Sequence, residues 1–218
     1  MNFENDESAS PAQAAAERAY EHVKGAIIRG ELAGGESVSE NALRRELDLS
    51  RTPMHEAFLR LAAEGLLSLE HRRGAVVRPM PPHEARDVLE MREAIESAAA
   101  ARVIADGAAG DLASALESLL EEQSRAIEAE DVPVFIDADS RFHSAVIEGS
   151  GNTVAVMFTA TLRDRQQRLR HQLMRVRPEQ LQASLEHHRE LARALAEGDA
   201  TAYARTLHEH VASHRGAL

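Results

Sequence analysis

The chain has no cysteine in its 218 residues, which excludes disulfides and thiolate metal sites and leads us to expect a cytoplasmic protein. Tryptophan is also absent, and there are only two tyrosines and five phenylalanines. Alanine, leucine, glutamate and arginine dominate instead, a composition that favours a mainly helical protein. No apolar run approaches the roughly 20 residues of a membrane helix. The first residues lack the basic-then-apolar pattern of a signal peptide, so no membrane partner is expected. Basic charge is in short supply: 25 Lys and Arg face 36 Asp and Glu, a formal net charge of −11. The length suits two domains, each with its own core.

The acidity is unevenly spread. Residues 1–16 carry −3, residues 17–79 balance ten Lys and Arg against ten Asp and Glu, and residues 80–218 carry −8. Residues 1–16 are polar and Ala/Ser-rich, and read as a disordered tail. Pro79, Pro81 and Pro82 make 79–82 a stiff linker that no helix is expected to cross. It separates a first domain, 17–78, from a second, 83–217.

In the first domain Tyr20, Val23, Ile27 and Ile28 form one apolar stripe of a helix that stops at Gly30. A second helix, 40–47, carries Ala42, Leu43 and Leu47 on one face. After Asp48-Leu49, Ser50 occupies an N-cap position and Pro53 fits the first turn of a third helix. That helix turns Ala57, Phe58, Leu61 and Ala62 inward. Two helices joined so tightly make a helix-turn-helix, whose second helix enters the major groove with its N-terminal residues at the base edges. Leu66–Leu69 and Ala75–Val77 are strand candidates around a basic hairpin tip, a wing able to reach phosphates. The DNA-facing candidates are Glu40, Arg44, Arg45, Ser50, Arg51, Thr52, Pro53 and His55, with His71, Arg72, Arg73 and Gly74 on the wing. Local arginines decide phosphate binding, because fields fade beyond a Debye length of about 8 Å.

The run Tyr20-x-x-Val-Lys-x-x-Ile27, Gly30-x-Leu32, Gly35, Glu40-x-x-Leu43, Ser50-Arg51-Thr52-Pro53, Glu56-Ala57, Arg60-Leu61, Glu64-Gly65-Leu66, Arg73-Gly74 and Val77 resembles the N-terminal domain of GntR-family transcription regulators. The likeness spans 18–78 without a gap and implies a winged helix-turn-helix that binds a double-stranded operator. Gly34-Gly35 stands where the family has Pro-Gly. His55 stands where it has arginine, so the family's operator sequence does not carry over.

Beyond the linker, six helices are predicted near 84–106, 111–129, 132–149, 152–175, 179–197 and 199–215. The apolar sets Val88/Met91/Ile95, Leu112/Leu116/Leu119, Val134/Phe135/Ala138/Phe142 and Leu191/Leu195 have bundle spacing. The fold class is therefore mainly α: an N-terminal winged helix-turn-helix with a small β-hairpin wing, then an all-α bundle. Asp139 and His143 share a helix face at i and i+4. His188 and His210 flank the Gly198-Asp199 turn at similar spacing, roughly 15–17 Å from it at 1.5 Å per residue. In a helical hairpin they would lie level with each other. One carboxylate and three imidazoles suit a divalent first-row ion, zinc, nickel, manganese or cobalt. With 11 histidines in the chain, His171, His187, His208 and the pair His210/His214 compete for the same role.

Asp139-x-x-Phe142-His143, Gly151-Asn152, His188 with Leu191, Gly198-Asp199 and His210 resemble the FCD effector domain of the FadR subfamily. The resemblance implies a metal on Asp139, His143, His188 and His210 that holds a small carboxylate effector. Arg92, at the family's first-helix arginine, is then an effector contact, or else a surface ion pair with a nearby Glu. Asn152 is a second effector contact, or simply the cap of the helix that follows. The combined expectation is a ligand-responsive transcription regulator, not an enzyme, that binds an inverted repeat as a homodimer, because one recognition helix reads too few bases. The competing readings are a metal-dependent helical enzyme and a regulator whose metal is only structural. Outside the four ligands the sequence offers no nucleophile or general base.

Overall fold

Ser10 starts the first helix. Its hydroxyl accepts from the Gln13 backbone N–H at 3.3 Å while its own N–H donates to Gln13 Oε1 at 2.8 Å, a complete capping box followed by Pro11 in the first turn. Helix α1 therefore spans Pro11–Ile28, so residues 11–16, expected from sequence to belong to a disordered tail, are helical. The computed structural model describes residues 10–70, 74–176 and 180–215, omitting the side chains of 174–176 and 214–215. It divides into two compact units between Met80 and Pro81.

In the first unit α1 is followed by β1 (Ser37–Val38), α2 (Glu40–Glu46), α3 (Arg51–Ala63), β2 (Leu67–Glu70) and β3 (Gly74–Val77). The strands form an antiparallel sheet in the order β1-β3-β2, with Leu67 opposite Val77 and Val38 opposite Ala75. The two-residue β1 has no alternating pattern long enough to be read from sequence. The core joins Tyr20, Val23 and Ile27 of α1 to Met54, Ala57, Phe58 and Leu61 of α3, closed by Val38, Leu67 and Val77 of the sheet. In α2 the predicted face is half right. Leu43 and Leu47 pack on the core, whereas Ala42 is exposed and the buried residue is Leu49, in the turn. That turn needs Asp48 at φ 49°, a left-handed conformation that aspartate tolerates better than most residues.

Among the described residues the second unit has six helices: α4 (Pro82–Ala105), α5 (Ala109–Glu128), α6 (Val132–Gly149), α7 (Thr153–Val176), α8 (Gln180–Glu197) and α9 (Ala200–Arg215). Pro82, assigned to the linker from sequence, is instead the first residue of α4. Its fixed φ suits the first helical turn, where the missing N–H has no partner to lose. Helix α4 packs on α6, α7 and α9, α5 on α6 and α8, and α8 on α9. Two predicted core residues face outward: Met91 is 46% exposed and Val134 39%. The inward face of α4 is Ala85, Val88, Leu89, Arg92, Glu96, Ala99, Ala100 and Val103. A charged pair thus sits at the middle of a buried stripe and displaces the apolar register by one position. At the end of α6, a Cβ on Gly149 would lie 2.6 Å from Leu112 Cδ1, so glycine lets α6 press against α5. Among the described residues, no helix is long and apolar enough to cross a membrane.

Candidate metal centre and nucleic-acid interface

Helix α6 presents Asp139 and His143 one turn apart on its buried face, α8 presents His188 and α9 presents His210. Each offers one ligand atom, and these four atoms lie within 4.8 Å of one another. His188 and His210 come level across the α8–α9 hairpin, with ring centroids 4.8 Å apart. The competing histidines are elsewhere. His208 pairs with Glu93 at the surface at 2.8 Å, and His187 meets only the edge of the group, its ring centroid 5.7 Å from that of His210. His171 is half-buried and the His214 side chain is outside the described residues.

Residues that sequence reasoning missed orient the imidazoles. His143 Nδ1 donates to Glu96 Oε1 at 2.7 Å, and Glu96 Oε1 also accepts from the Tyr203 hydroxyl at 2.9 Å. His188 Nδ1 donates to Gln123 Oε1 at 2.6 Å. With both Nδ1 protons committed, both Nε2 atoms carry lone pairs, yet they face each other at 3.1 Å. Asp139 Oδ1 stands 3.2 Å from His188 Nε2 and 3.7 Å from His143 Nε2, and it has no hydrogen bond. Acceptors crowd together here with no proton between them, in a buried place where their mutual repulsion is poorly screened. A divalent cation resolves that conflict, and a carboxylate or amide behind each imidazole is the arrangement that fixes a metal-binding tautomer. This group could therefore hold a divalent metal ion.

The electrostatics agree. Burial by itself raises the Asp139 carboxyl, but the Arg170 guanidinium, whose Nε is 2.6 Å from Oδ2, outweighs it and holds it well below the usual range. Glu96 behaves likewise: burial raises it, while His143, Arg92 and Tyr203 bring it below its ordinary value. Burial pushes His188 down to about 4, so it is neutral at physiological pH and ready to ligate. Burial lowers Arg170 to about 10, which leaves it charged. Tyr203 is driven well above its usual value by burial and by Glu96, and acts as a donor only.

Arg92 is not a surface residue. It is buried, its Nη2 donates to His210 Nε2 at 3.1 Å, and its Nε is 3.7 Å from Glu96 Oε2. Asn152 takes the simpler of its two readings. Its side-chain oxygen accepts from the Ala155 N–H at 3.2 Å and caps α7, and no described contact brings it to the cluster.

In the first unit, Ser37, Val38, Ser39, Glu40, Asn41, Arg44, Arg51 and Gly74 line one open groove of about 680 Å³. Four of the predicted DNA-facing residues, Glu40, Arg44, Arg51 and Gly74, thus share a concave face, on which His55 Nδ1 reaches Glu40 Oε2 at 3.4 Å. Arg45 is exposed beside it and its Nε donates to the Asn41 carbonyl at 3.2 Å. Ser50 is the N-cap of α3 but makes no capping hydrogen bond through its side chain, and Thr52 is exposed. Pro53 is corrected: it is buried, so it shapes the first turn of α3 and does not face DNA. Gly74 sits at φ 83°, which only glycine adopts freely, where the chain re-enters the sheet. The other wing candidates, His71, Arg72 and Arg73, lie outside the described residues.

The chain matches the FCD domain over residues 87–213 and the gntR family of bacterial regulatory proteins over residues 15–77. It is 27% identical over 203 residues to the HTH-type transcriptional repressor RspR of Escherichia coli K12, covering 93% of this chain and 88% of that one. It is 30% identical over 131 residues to an HTH-type transcriptional regulator from the TAR-I ttuE-ttuC' intergenic region of Agrobacterium vitis, covering 59% of this chain and 77% of the relative. The solved structure of E. coli McbR/YncC superposes with a TM-score of 0.74 at 22% identity, covering 91% of this chain and 94% of its own. A GntR-type transcriptional regulator from Rhodococcus sp. RHA1 gives 0.73 at 23%, covering 94% and 99%. At these identities the two structures show a shared fold.

Proposed function

Because the chain belongs to the gntR family of bacterial transcription regulators and carries an FCD domain, we propose that it is a metal-dependent sensor of a small carboxylate. In this reading it binds an inverted-repeat operator as a homodimer and releases or tightens it when the acid binds. The observation that carries the sensing half is the convergence of Asp139 Oδ1 with the Nε2 lone pairs of His143 and His188 at 3.1–3.7 Å, with no proton to share.

A divalent zinc, nickel or manganese ion on Asp139, His143, His188 and His210 would supply a Lewis-acidic point of attachment for a carboxylate. Glu96 and Gln123 hold His143 and His188 with their Nε2 lone pairs turned inward. Arg92 stands beside His210 and supplies N–H donors to an incoming acid. Helices α4, α6, α8 and α9 all contribute to the site, so occupancy biases their packing. Helix α4 is also the one joined to the head through Pro79 and Pro81. The test of the switch is a gel shift on the chain's own upstream DNA, run with and without chelator and candidate acids. Operator affinity that ignores both would end the sensing reading.

On the DNA side, the reading gives Arg51 the central base or phosphate contact, with Glu40, Arg44, Arg45, Ser50, Thr52, His55 and Gly74 around it. Arg51→Ala is expected to weaken specific operator binding by about 1–3 kcal/mol at fixed salt, with His55→Ala costing less. Unchanged affinity of Arg51→Ala in a titration at the same ionic strength would show that α3 is not the recognition helix.

For the metal, the purified protein is expected to retain one divalent ion per chain, and His210→Ala to lose most of it. Stoichiometric metal in both His188→Ala and His210→Ala, measured by elemental analysis after dialysis, would place the metal elsewhere.

A further inference from the structure

Oxygen donors at the cluster are scarcer than its two buried carboxylates suggest. Glu96 Oε1 is committed to His143 Nδ1 and to the Tyr203 hydroxyl, and Glu96 Oε2 faces Arg92 Nε at 3.7 Å. Gln123 Oε1 accepts from His188 Nδ1. That leaves Asp139, and only half of it. Its Oδ1 stands 3.2 Å from His188 Nε2 and 3.7 Å from His143 Nε2. Its Oδ2 lies 2.6 Å from Arg170 Nε, with both side chains buried. Arg170 is held there by its helix. Gln166, Leu169, Arg170 and Leu173 form the buried face of α7, which packs on α6 and α4.

A guanidinium in that place bars a cation from Oδ2. Coordination through both oxygens would bring a divalent ion and a fixed positive charge to the same atom, where burial leaves their repulsion poorly screened. Swinging the carboxylate round to offer Oδ2 would instead break the pair and strand Arg170 without its counter-charge. Asp139 therefore gives one oxygen. Among the described residues, the cluster offers an ion three imidazoles and a single carboxylate oxygen. Ions differ in how well that set suits them. Zinc and nickel take imidazole readily, whereas manganese favours carboxylate and other oxygen ligands.

Resting on the metal-binding reading above, we propose that Arg170 is the positioning residue that sets which ion the centre takes. By keeping Asp139 to one oxygen, it selects a nitrogen-preferring ion, zinc or nickel, over manganese. The positive charge of Arg170 does not make this choice by itself, because it weakens every divalent ion to a similar degree. Denial of the second oxygen is what separates them, since it falls hardest on the ion that gains most from oxygen.

The experiment is competition between zinc and manganese for the metal-stripped full chain, read as bound metal per chain in buffered-metal solutions. Wild type, Arg170→Met and Arg170→Lys are compared. In Arg170→Met both ions are expected to tighten as the charge leaves, manganese more, so that the zinc-to-manganese affinity ratio falls at least about tenfold. Arg170→Lys keeps a positive charge behind Oδ2 and is expected to hold the ratio within about threefold of wild type. An unchanged ratio in Arg170→Met overturns the inference and leaves the metal reading standing. An equal fall in both variants shows a general loosening of the site and also overturns it. If neither ion binds the wild-type chain, both readings fall. A crystal structure of the zinc-loaded wild type tests the same point with no variant to fold. Oδ1 alone is expected at the ion, with Oδ2 still on Arg170, and both oxygens at the ion would overturn the role given to Arg170.

Discussion

Asp139→Ala is expected to destabilise the metal-stripped helical unit by about 3–5 kcal/mol, because it leaves a buried guanidinium without its counter-charge. Arg170 is 4% exposed and its Nε lies 2.6 Å from Asp139 Oδ2. Burial already lowers Arg170 to about 10 with the carboxylate in place, and removing the carboxylate deletes the interaction that holds the charge there. Asp139→Asn preserves the shape but not the charge, so it should lose a large part of the same stability. The double variant Asp139→Ala with Arg170→Met should recover much of the loss, since replacing a whole buried pair with apolar atoms is often close to neutral. Urea denaturation followed by helical circular dichroism measures these variants, the wild type and Arg170→Met alone, which completes the cycle. Additive losses in the double variant would show that the two side chains do not act as a pair.

The legible part of this fold was the part written in apolar periodicity and punctuation. Gly30, the Gly149-Ser150-Gly151 turn and Gly198-Asp199 fall at helix ends, and the predicted 132–149 helix coincides with α6. Helical spacing and one hairpin turn make the Asp139/His143 and His188/His210 pairs candidates, but other histidines fit the same description and the family resemblance chooses among them. What escaped was whatever depends on partners distant in sequence. Glu96 sits 47 residues from His143, and Gln123 sits 65 from His188. No local pattern marks either one as buried. The register of α4 was misread for the same reason. Arg92 and Glu96 count as surface residues in any hydropathy pattern, so the pattern points to Met91 for the core while the real inward face carries the charged pair. Arg170 was hidden similarly among the arginines of α7. A buried ionic network reads as solvent-facing until its partners are known. The two-residue β1 was missed for a different reason, since its only signal is its pairing with β3.

The same network makes the helical unit acid-sensitive in a window set by His188. Burial pushes this imidazole down to about 4, only partly opposed by Asp139, against about 6.5 when the chain is unfolded. Its folded pKa is depressed, so as pH falls the unfolded chain takes up the proton first. The stability it contributes is complete above about pH 6.5 and is lost progressively as pH drops towards 4. A shift of that size corresponds to about 3 kcal/mol across the window. Asp139 and Glu96, both held below their ordinary values, act in the same direction but only below about pH 4, where carboxylates begin to protonate. Metal-stripped wild-type protein is therefore expected to lose stability between pH 6.5 and 4.5. His188→Leu, which has nothing to protonate at that position, should show a shallower slope by up to one proton. Urea denaturation at half-unit pH steps compares the two, and identical slopes would mean that His188 is not the buried neutral base the geometry makes it. With metal loaded the wild-type slope should steepen further, because protons and the cation compete for the same lone pairs.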